Sequence, residues 1–574
     1  MSRKALRLRL AVSFCLCLAP LLAAAAEPLP GDGAGFMAIE PVTFCFQFGG
    51  YFERLVLRSS RARIWYSFLR ADSDGPGTPL LVFFNGGPGS ATSCGLMSMY
   101  TGRWTLDNGA ERGGDYIANP VPWTRFGHLL YIDARQTGFS YNRMERDEDE
   151  TRRLQEFNAQ NFNPFFDAAD FVRVLLRFLA AHPGLRGRPV VLVGESYGGV
   201  RATAMLHLLL NYRRYKNGGE VYQDPALVDE IQAHYDAVFP EHAGEAVPPE
   251  VIARQFGRQV LIQPALTANY QTAVEDEMLK RPGSILYRIG EEVGIPYDPD
   301  RYPDPLAFVY EVAGRDYYIY TKPRDWLDGF FTNAGTRLRT VATLSRVTGA
   351  AARSIAELYA SARADAYRVI LADSPWAYAG GSASPVTRAL FETPARLESA
   401  GGLEEPGDMT AVFGALQPWD RYFIGTNSNA NWAFHVCNVA LLRGYDIHSW
   451  DPRYGRMFLK NVAHVRTFIT AAALDLVVYA AALPGALARH GDILAAARLD
   501  RSGGGARPGK IVLEYRPGAF ADLPGLAARS IRFPLYDRSC HAVSLTQPLE
   551  LYADVGAWLQ ETAACERPRG VGHE

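Results

Sequence analysis

Short apolar strands ending in small-residue corners set the strongest limit on how this chain can fold. Residues 80–84 read LLVFF and run into NGGPGS, and residues 190–193 read VVLV and run into GESYGG. A strand that is apolar on both faces must be covered on both, as it is inside a parallel sheet. Between these strands, Phe165, Ala169, Val172, Leu176 and Leu179 recur at steps of four and three. That spacing predicts a helix with one apolar stripe, stopped by HPGLRGRP. A second helical pattern, VRATAMLHLLLNYRR, follows the serine-bearing corner. The alternation implies an α/β protein, a mostly parallel central sheet with helices on both faces. Ligands in such sheets bind beyond the carboxyl ends of the strands. Asn85, Asp133 and Ser196 each stand just past a predicted strand end.

The rest of the chain divides around this core. Arg3, Lys4, Arg7 and Arg9 precede an apolar run over 10–23, and Ala24 and Ala26 fit a small-residue exit before Glu27. Residues 1–26 are therefore expected to be a secretory signal peptide, with an uncleaved anchor as the alternative. The first part of the core is expected over 27–211, with VTFCFQF and ARIWYSFLRA as a pair of strands and 143–153 as a charged, solvated loop. Residues 212–258, polar and proline-bearing, read as an insertion, and QVLIQPAL within 259–274 as a return to the core. Residues 275–440, loop-rich with many Tyr and Trp, read as a helical cap. Residues 441–565 complete the core with a buried strand over 465–479 and a last helix opened by Pro548, leaving 566–574 as a flexible tail.

Composition excludes some functions. The net charge of −2 in 574 residues gives no reason to expect nucleic acid or an anionic membrane as partner. No later apolar run reaches the ~18 residues of a spanning helix, so no stable membrane insertion is expected after signal cleavage. No C-x-x-C occurs, which removes support for a zinc or thioredoxin site, and no metal or cofactor is expected. Cys45, Cys94, Cys437, Cys540 and Cys565 remain after the signal. An odd number leaves at least one thiol free or paired elsewhere.

The corner at 194–198 is G-x-S-x-G, which sets a serine on a tight strand-to-helix turn with its oxygen clear of the backbone. The pattern alone is weak in a chain with 53 glycines. A serine hydroxyl also needs a base, and the base an orienting acid. In α/β hydrolases the chain order is Ser, acid, His. His490, His541 and His573 are the histidines beyond Leu474. His541, in a loop before the last helix, is favoured; His490 reads as a helix end and His573 as tail. Asp475 closes FITAAAL, where a carboxylate is costly to bury unless paired; its alternative is a helix N-cap.

Five segments carry a sharper signal: FFNGGPGSATS, NPVPWTRFGHLLYIDARQTGFSY, VGESYGGVRA, ALDLVVY and CHAVSLTQP. In that order they resemble the serine carboxypeptidases (peptidase family S10), as a bacterial-type exported member, over about 48–212 and 440–560. The resemblance implies an α/β-hydrolase fold and a triad of Ser196, Asp475 and His541. It implies an oxyanion hole from the amides of Gly87 and Tyr197, and a substrate-carboxylate site of Asn85 and Glu195. For Glu195 to donate to a carboxylate it must be protonated, so hydrolysis of C-terminal peptide bonds is expected to favour acidic pH. The substrate is then a peptide or small acyl compound.

Three positions depart from the family. No Asp or Glu lies between Gly86 and Leu106, where many members carry a second acid, and the ungapped position falls near Met99. Arg103 is a candidate charge complement, against its reading as a surface arginine. Ser90 stands where eukaryotic members often have a disulfide cysteine. Ala542 follows the histidine in place of a frequent methionine, so the leaving-group pocket is expected to differ. An esterase or acyltransferase on the same scaffold is the alternative, since fold does not fix substrate. A binding protein that has lost activity is the third.

Overall fold

A computed structural model describes residues 29–47, 54–106 and 116–143 apart from a few positions, 163–266, parts of 282–303, and 452–564 apart from a few positions. The expected signal peptide, most of the charged loop, most of the cap, the tail and His573 lie outside the described residues.

The strands are β1 (Gly33–Ile39), β2 (Thr43–Phe46), β3 (Leu55–Arg58), β4 (Arg61–Leu69), β5 (Leu80–Phe84), β6 (Trp104–Leu106), β7 (Tyr116–Ala118), β8 (His128–Ile132) and β9 (Tyr141–Arg143). Further along come β10 (Val190–Glu195), β11 (Tyr222–Gln223), β12 (Arg258–Ile262), β13 (Arg466–Ile469), β14 (Ala471–Ala472), β15 (Leu494–Asp500), β16 (Lys510–Tyr515), β17 (Ala528–Arg532) and β18 (Leu535–Tyr536). The main sheet runs β1-β4-β8-β5-β10-β12-β13-β17-β16-β15. Its centre is parallel from β8 to β17, and antiparallel strands close both edges.

The helices are α1 (Pro164–Ala181), α2 (Pro183–Arg186), α3 (Gly198–Leu210), α4 (Pro225–Val238), α5 (Pro249–Phe256), α6 (Pro452–Val462), α7 (Leu483–Ala488), α8 (Val543–Thr546) and α9 (Pro548–Ala564). Asn163 starts α1: its Oδ1 accepts the Phe166 amide at 2.8 Å, and Pro164 needs no donor partner. The expected stripe on α1 is one side of a helix buried nearly all round.

Alternate residues of each central strand feed different cores. Leu80, Val82 and Phe84 join Val190 and Leu192 beneath α1 and α3. Leu81 and Phe83 join Val191 and Val193 on the opposite face, with Val555 and Leu559 of α9. The chain thus leaves β5 for one face and β10 for the other, so the topological switch point lies between these neighbours. That is where a crevice opens in sheets of this kind. Strand order and two-sided helix cover are those of an α/β-hydrolase fold.

Three local expectations change. VTFCFQF and the segment of β4 do not pair: β2 pairs with β3 and β11 in a small separate sheet, while β4 pairs with β1 and β8. The cross-strand partner of β2 is the unremarkable LVLR, which composition did not single out. Residues 212–258 fold into the main core, because Tyr215, Tyr222, Leu227, Ile231 and Ile252 are buried in the same cluster as α1 and α3. The strand over 465–479 is split into β13 and β14. Cys45 is a buried free thiol; the other four cysteine side chains lie outside the described set.

Candidate active site

Ser196 follows the last residue of β10 with φ of 58°, a left-handed conformation that side chains rarely adopt. Three backbone bonds hold it there. Its amide donates to the Ile262 carbonyl at 3.0 Å, and its own carbonyl accepts the amides of Gly199 at 2.8 Å and Ala265 at 2.9 Å. Surrounding structure must over-determine such a conformation for it to persist.

The NGGPG loop leans directly on this corner. A Cβ at Gly86 would lie 2.5 Å from the Tyr197 amide nitrogen and 2.7 Å from the Ser196 Cβ. Only glycine permits that approach, and it brings the loop and the amide after the serine into contact. Gly87 follows with φ of 104°, a conformation glycine takes without strain.

Beneath the corner lies a buried ionic cluster. Arg201 donates to both carboxylate oxygens of Asp167, at 2.7 and 3.2 Å, and to the main-chain oxygen of Asn85. Tyr197 adds its hydroxyl to Asp167 at 3.1 Å. The Arg201 guanidinium also packs over the Phe171 ring at 4.4 Å. One side chain therefore ties α1, α3 and the start of NGGPG together.

Asp475 is fully buried and accepts from His541 Nδ1 at 2.8 Å. Gln263 donates to the same oxygen at 2.7 Å, and the Val478 amide to the other at 3.1 Å. Gln263 is itself buried, at φ of 45°, and its carbonyl oxygen accepts the Ala472 amide at 2.6 Å. With Oδ2 of Asp475 accepting at Nδ1, the neutral ring carries its lone pair on Nε2. Burial works to lower the His541 pKa, but the charge and hydrogen bond of Asp475 outweigh it, and the ring titrates above the ordinary histidine value. His490 follows α7 instead, with its ring against Gly455 and away from this acid.

Glu195 precedes the serine and is buried. Asn85 donates to one of its oxygens at 3.0 Å, while the other Asn85 amide atom accepts from Leu96 at 2.9 Å. Tyr100 and Ser544 donate to the second Glu195 oxygen at 3.3 and 3.4 Å. Burial raises the Glu195 pKa above the usual carboxylate range, against the pull of His541 and of these two hydroxyls. Ser544 stands three residues beyond His541, so the histidine segment is fastened to the residue before Ser196.

Arg103, the candidate charge complement, is engaged elsewhere. It pairs with Asp72 and donates to the Arg70 carbonyl at 2.7 Å, both in the turn between β4 and β5. Tyr100, Ser544, Gln263 and Arg201 are contacts the sequence did not single out. Among the described residues no cluster of three or more His, Cys, Asp or Glu could hold a metal ion, and no helix is long and apolar enough to cross a membrane.

The family model for serine carboxypeptidases matches residues 39–222. That segment, about a third of the chain, is similar to the serine carboxypeptidase family. It contains the serine corner, NGGPG and Glu195, while Asp475 and His541 lie beyond it. Serine carboxypeptidase-like 37 of Arabidopsis thaliana is 27% identical over 217 residues, 37% of this chain and 40% of the plant protein. The pheromone-processing carboxypeptidase of Candida glabrata is 34% identical over 123 residues, 21% of this chain and 14% of the yeast protein. The aligned part thus spans less than half the length of either relative. Among solved structures, a prohormone-processing carboxypeptidase from Saccharomyces cerevisiae aligns over 93% of this chain and 92% of its own, with 13% identity and a TM-score of 0.40.

Proposed function

We propose that this protein is an exported serine carboxypeptidase that hydrolyses C-terminal peptide bonds through Ser196, His541 and Asp475. The observation that carries the reading is the pairing of His541 with a buried Asp475, on a segment fastened by Ser544 to the residue before a left-handed serine. In the first half-reaction the Ser196 oxygen bonds to the scissile carbonyl carbon as His541 takes its proton. The C–N bond then breaks, and His541 gives that proton to the leaving amine. Water deacylates the serine by the same route in reverse. Amides at Gly87 and Tyr197, fixed by the contact through Gly86, are suited to holding the oxyanion because they need no reorganisation. Asn85 and a protonated Glu195 would receive the substrate carboxylate, which favours acidic pH. The basic, apolar, small-residue pattern of 1–26 supports export.

Side-by-side incubation with blocked dipeptides and aryl esters tests this reading, with Ser196→Ala as control. Release of the C-terminal amino acid that the control lacks is expected. Ester cleavage without amino-acid release would favour an esterase or acyltransferase. Failure of a fluorophosphonate to label Ser196 would remove the hydrolase reading altogether.

A further inference from the structure

We infer that the hydroxyls of Tyr100 and Ser544, rather than a second acid, position Glu195 for a C-terminal carboxylate and bring down the pH at which this recognition is lost. The inference rests on the carboxypeptidase reading above and adds two positioning residues to it. Among the described residues, three neutral side chains donate to the two oxygens of Glu195. Asn85 serves Oε1, while Tyr100 and Ser544 serve Oε2 from two different elements, the helical segment Ser93–Thr101 and α8. All three side chains are buried. Among the described residues, the titratable groups that act on Glu195 are Tyr100 and the His541–Asp475 pair. Arg103 lies with Asp72 and Asp32 instead.

A carboxyl–carboxyl pair and a carboxyl–hydroxyl cluster behave differently. Two carboxyls sharing one proton resist ionisation because the second charge would meet the first. Hydroxyl donors do the opposite: they stabilise the anion and lower the pKa of the group they face. Burial already favours the protonated form of Glu195, and the two hydroxyls trim that preference. Removing a hydroxyl therefore keeps Glu195 protonated to higher pH, and carboxylate binding should persist further toward neutrality. Hydrogen bonds to charged groups are among the stronger ones, and at 3.3–3.4 Å these two are long. About one pH unit, a tenfold change in the ionisation constant, is the expected shift per hydroxyl.

The test uses the full chain carrying Ser196→Ala, so that binding is read without turnover. N-acetyl-phenylalanine and its amide are titrated calorimetrically between pH 4 and 8, with Tyr100→Phe and Ser544→Ala added singly. The carboxylate ligand is expected to lose affinity at least tenfold as pH rises, while the amide does not follow that profile. Each added substitution should move the midpoint upward by about one unit. A midpoint that stays put or falls in both variants overturns the inference, as does equal pH dependence of acid and amide or no carboxylate binding at any pH. Should one variant fail to fold, the other decides. Shifted midpoints in a protein that cleaves no peptide would sink the function reading alone. Peptide cleavage with unmoved midpoints would sink this inference alone.

Discussion

Replacing Arg201 with methionine should destabilise the fold in a pH-dependent way. The arginine makes two hydrogen bonds to Asp167 and one to the Asn85 carbonyl, all buried. Each is a bond to a charged group, worth about 1.5–3 kcal/mol, but the three share one side chain and do not add. The larger effect is the Asp167 carboxylate left in the core with, among the described residues, the Tyr197 hydroxyl as its remaining side-chain donor. Removing one partner of a buried pair costs about 3–5 kcal/mol. Asp167 can escape part of this by taking a proton, since burial already raises its pKa even with Arg201 present. A carboxyl whose folded pKa exceeds its unfolded value destabilises the fold above the unfolded pKa and is relieved as it protonates. Urea melts of Arg201→Met should therefore show about 3–5 kcal/mol lost at pH 8 and visibly less at pH 5. The double variant Asp167→Leu with Arg201→Met removes the stranded charge and should recover at least ~2 kcal/mol of the loss at pH 8. A single-variant loss below about 1 kcal/mol, no pH dependence, or a double variant as unstable as the single would refute the account.

Other outcomes follow from the same contacts. Gly86→Ala forces a Cβ to 2.5 Å from the Tyr197 amide nitrogen, and kcat should fall by roughly 10²–10³ through displaced oxyanion donors, with steady-state kinetics as the check. Gln263→Leu removes one donor from Asp475 and orphans the Ala472 amide; chemical denaturation should show a loss of about 2 kcal/mol. In the same variant the acid limb of kcat/KM should move upward, because a less solvated Asp475 holds the imidazolium more tightly. The wild-type pH–rate profile should depend on substrate. With esters or amidated peptides activity should rise above the ordinary histidine range, as His541 loses its proton. With free-carboxylate peptides activity should fall relative to esters as pH rises, since ionised Glu195 no longer donates to the substrate carboxylate. A profile for those peptides that climbs steadily into alkali would count against Glu195.

What could be read in the sequence was local. LLVFF and VVLV are strands because each is apolar on both faces, and they became β5 and β10 as expected. Asp475 stood out as a carboxylate in an apolar run, costly to bury without a partner, and His541 was favoured as that partner from chain order. The contacts that set the chemistry were long-range, and no spacing rule announces them. Tyr100 meets Glu195 across 95 residues, Gln263 meets Asp475 across 212, and Ser544 meets Glu195 across 349. Arg201 lay in plain view beside GESYGG, yet nothing local says that it bonds a carbonyl 116 residues earlier. Residues 212–258 misled for a related reason: polar composition describes their outer surface, while their tyrosines fill the core.

The conformation of Ser196 also bears on how small a working unit of this protein could be. Its backbone is clamped by Ile262 and Ala265, both downstream of the stretch 39–222. A protein trimmed at residue 222 would keep NGGPG and GESYGG and lose the strand that bends the serine into place. Such a fragment should bind neither a fluorophosphonate nor a peptide end, however faithfully its sequence matches.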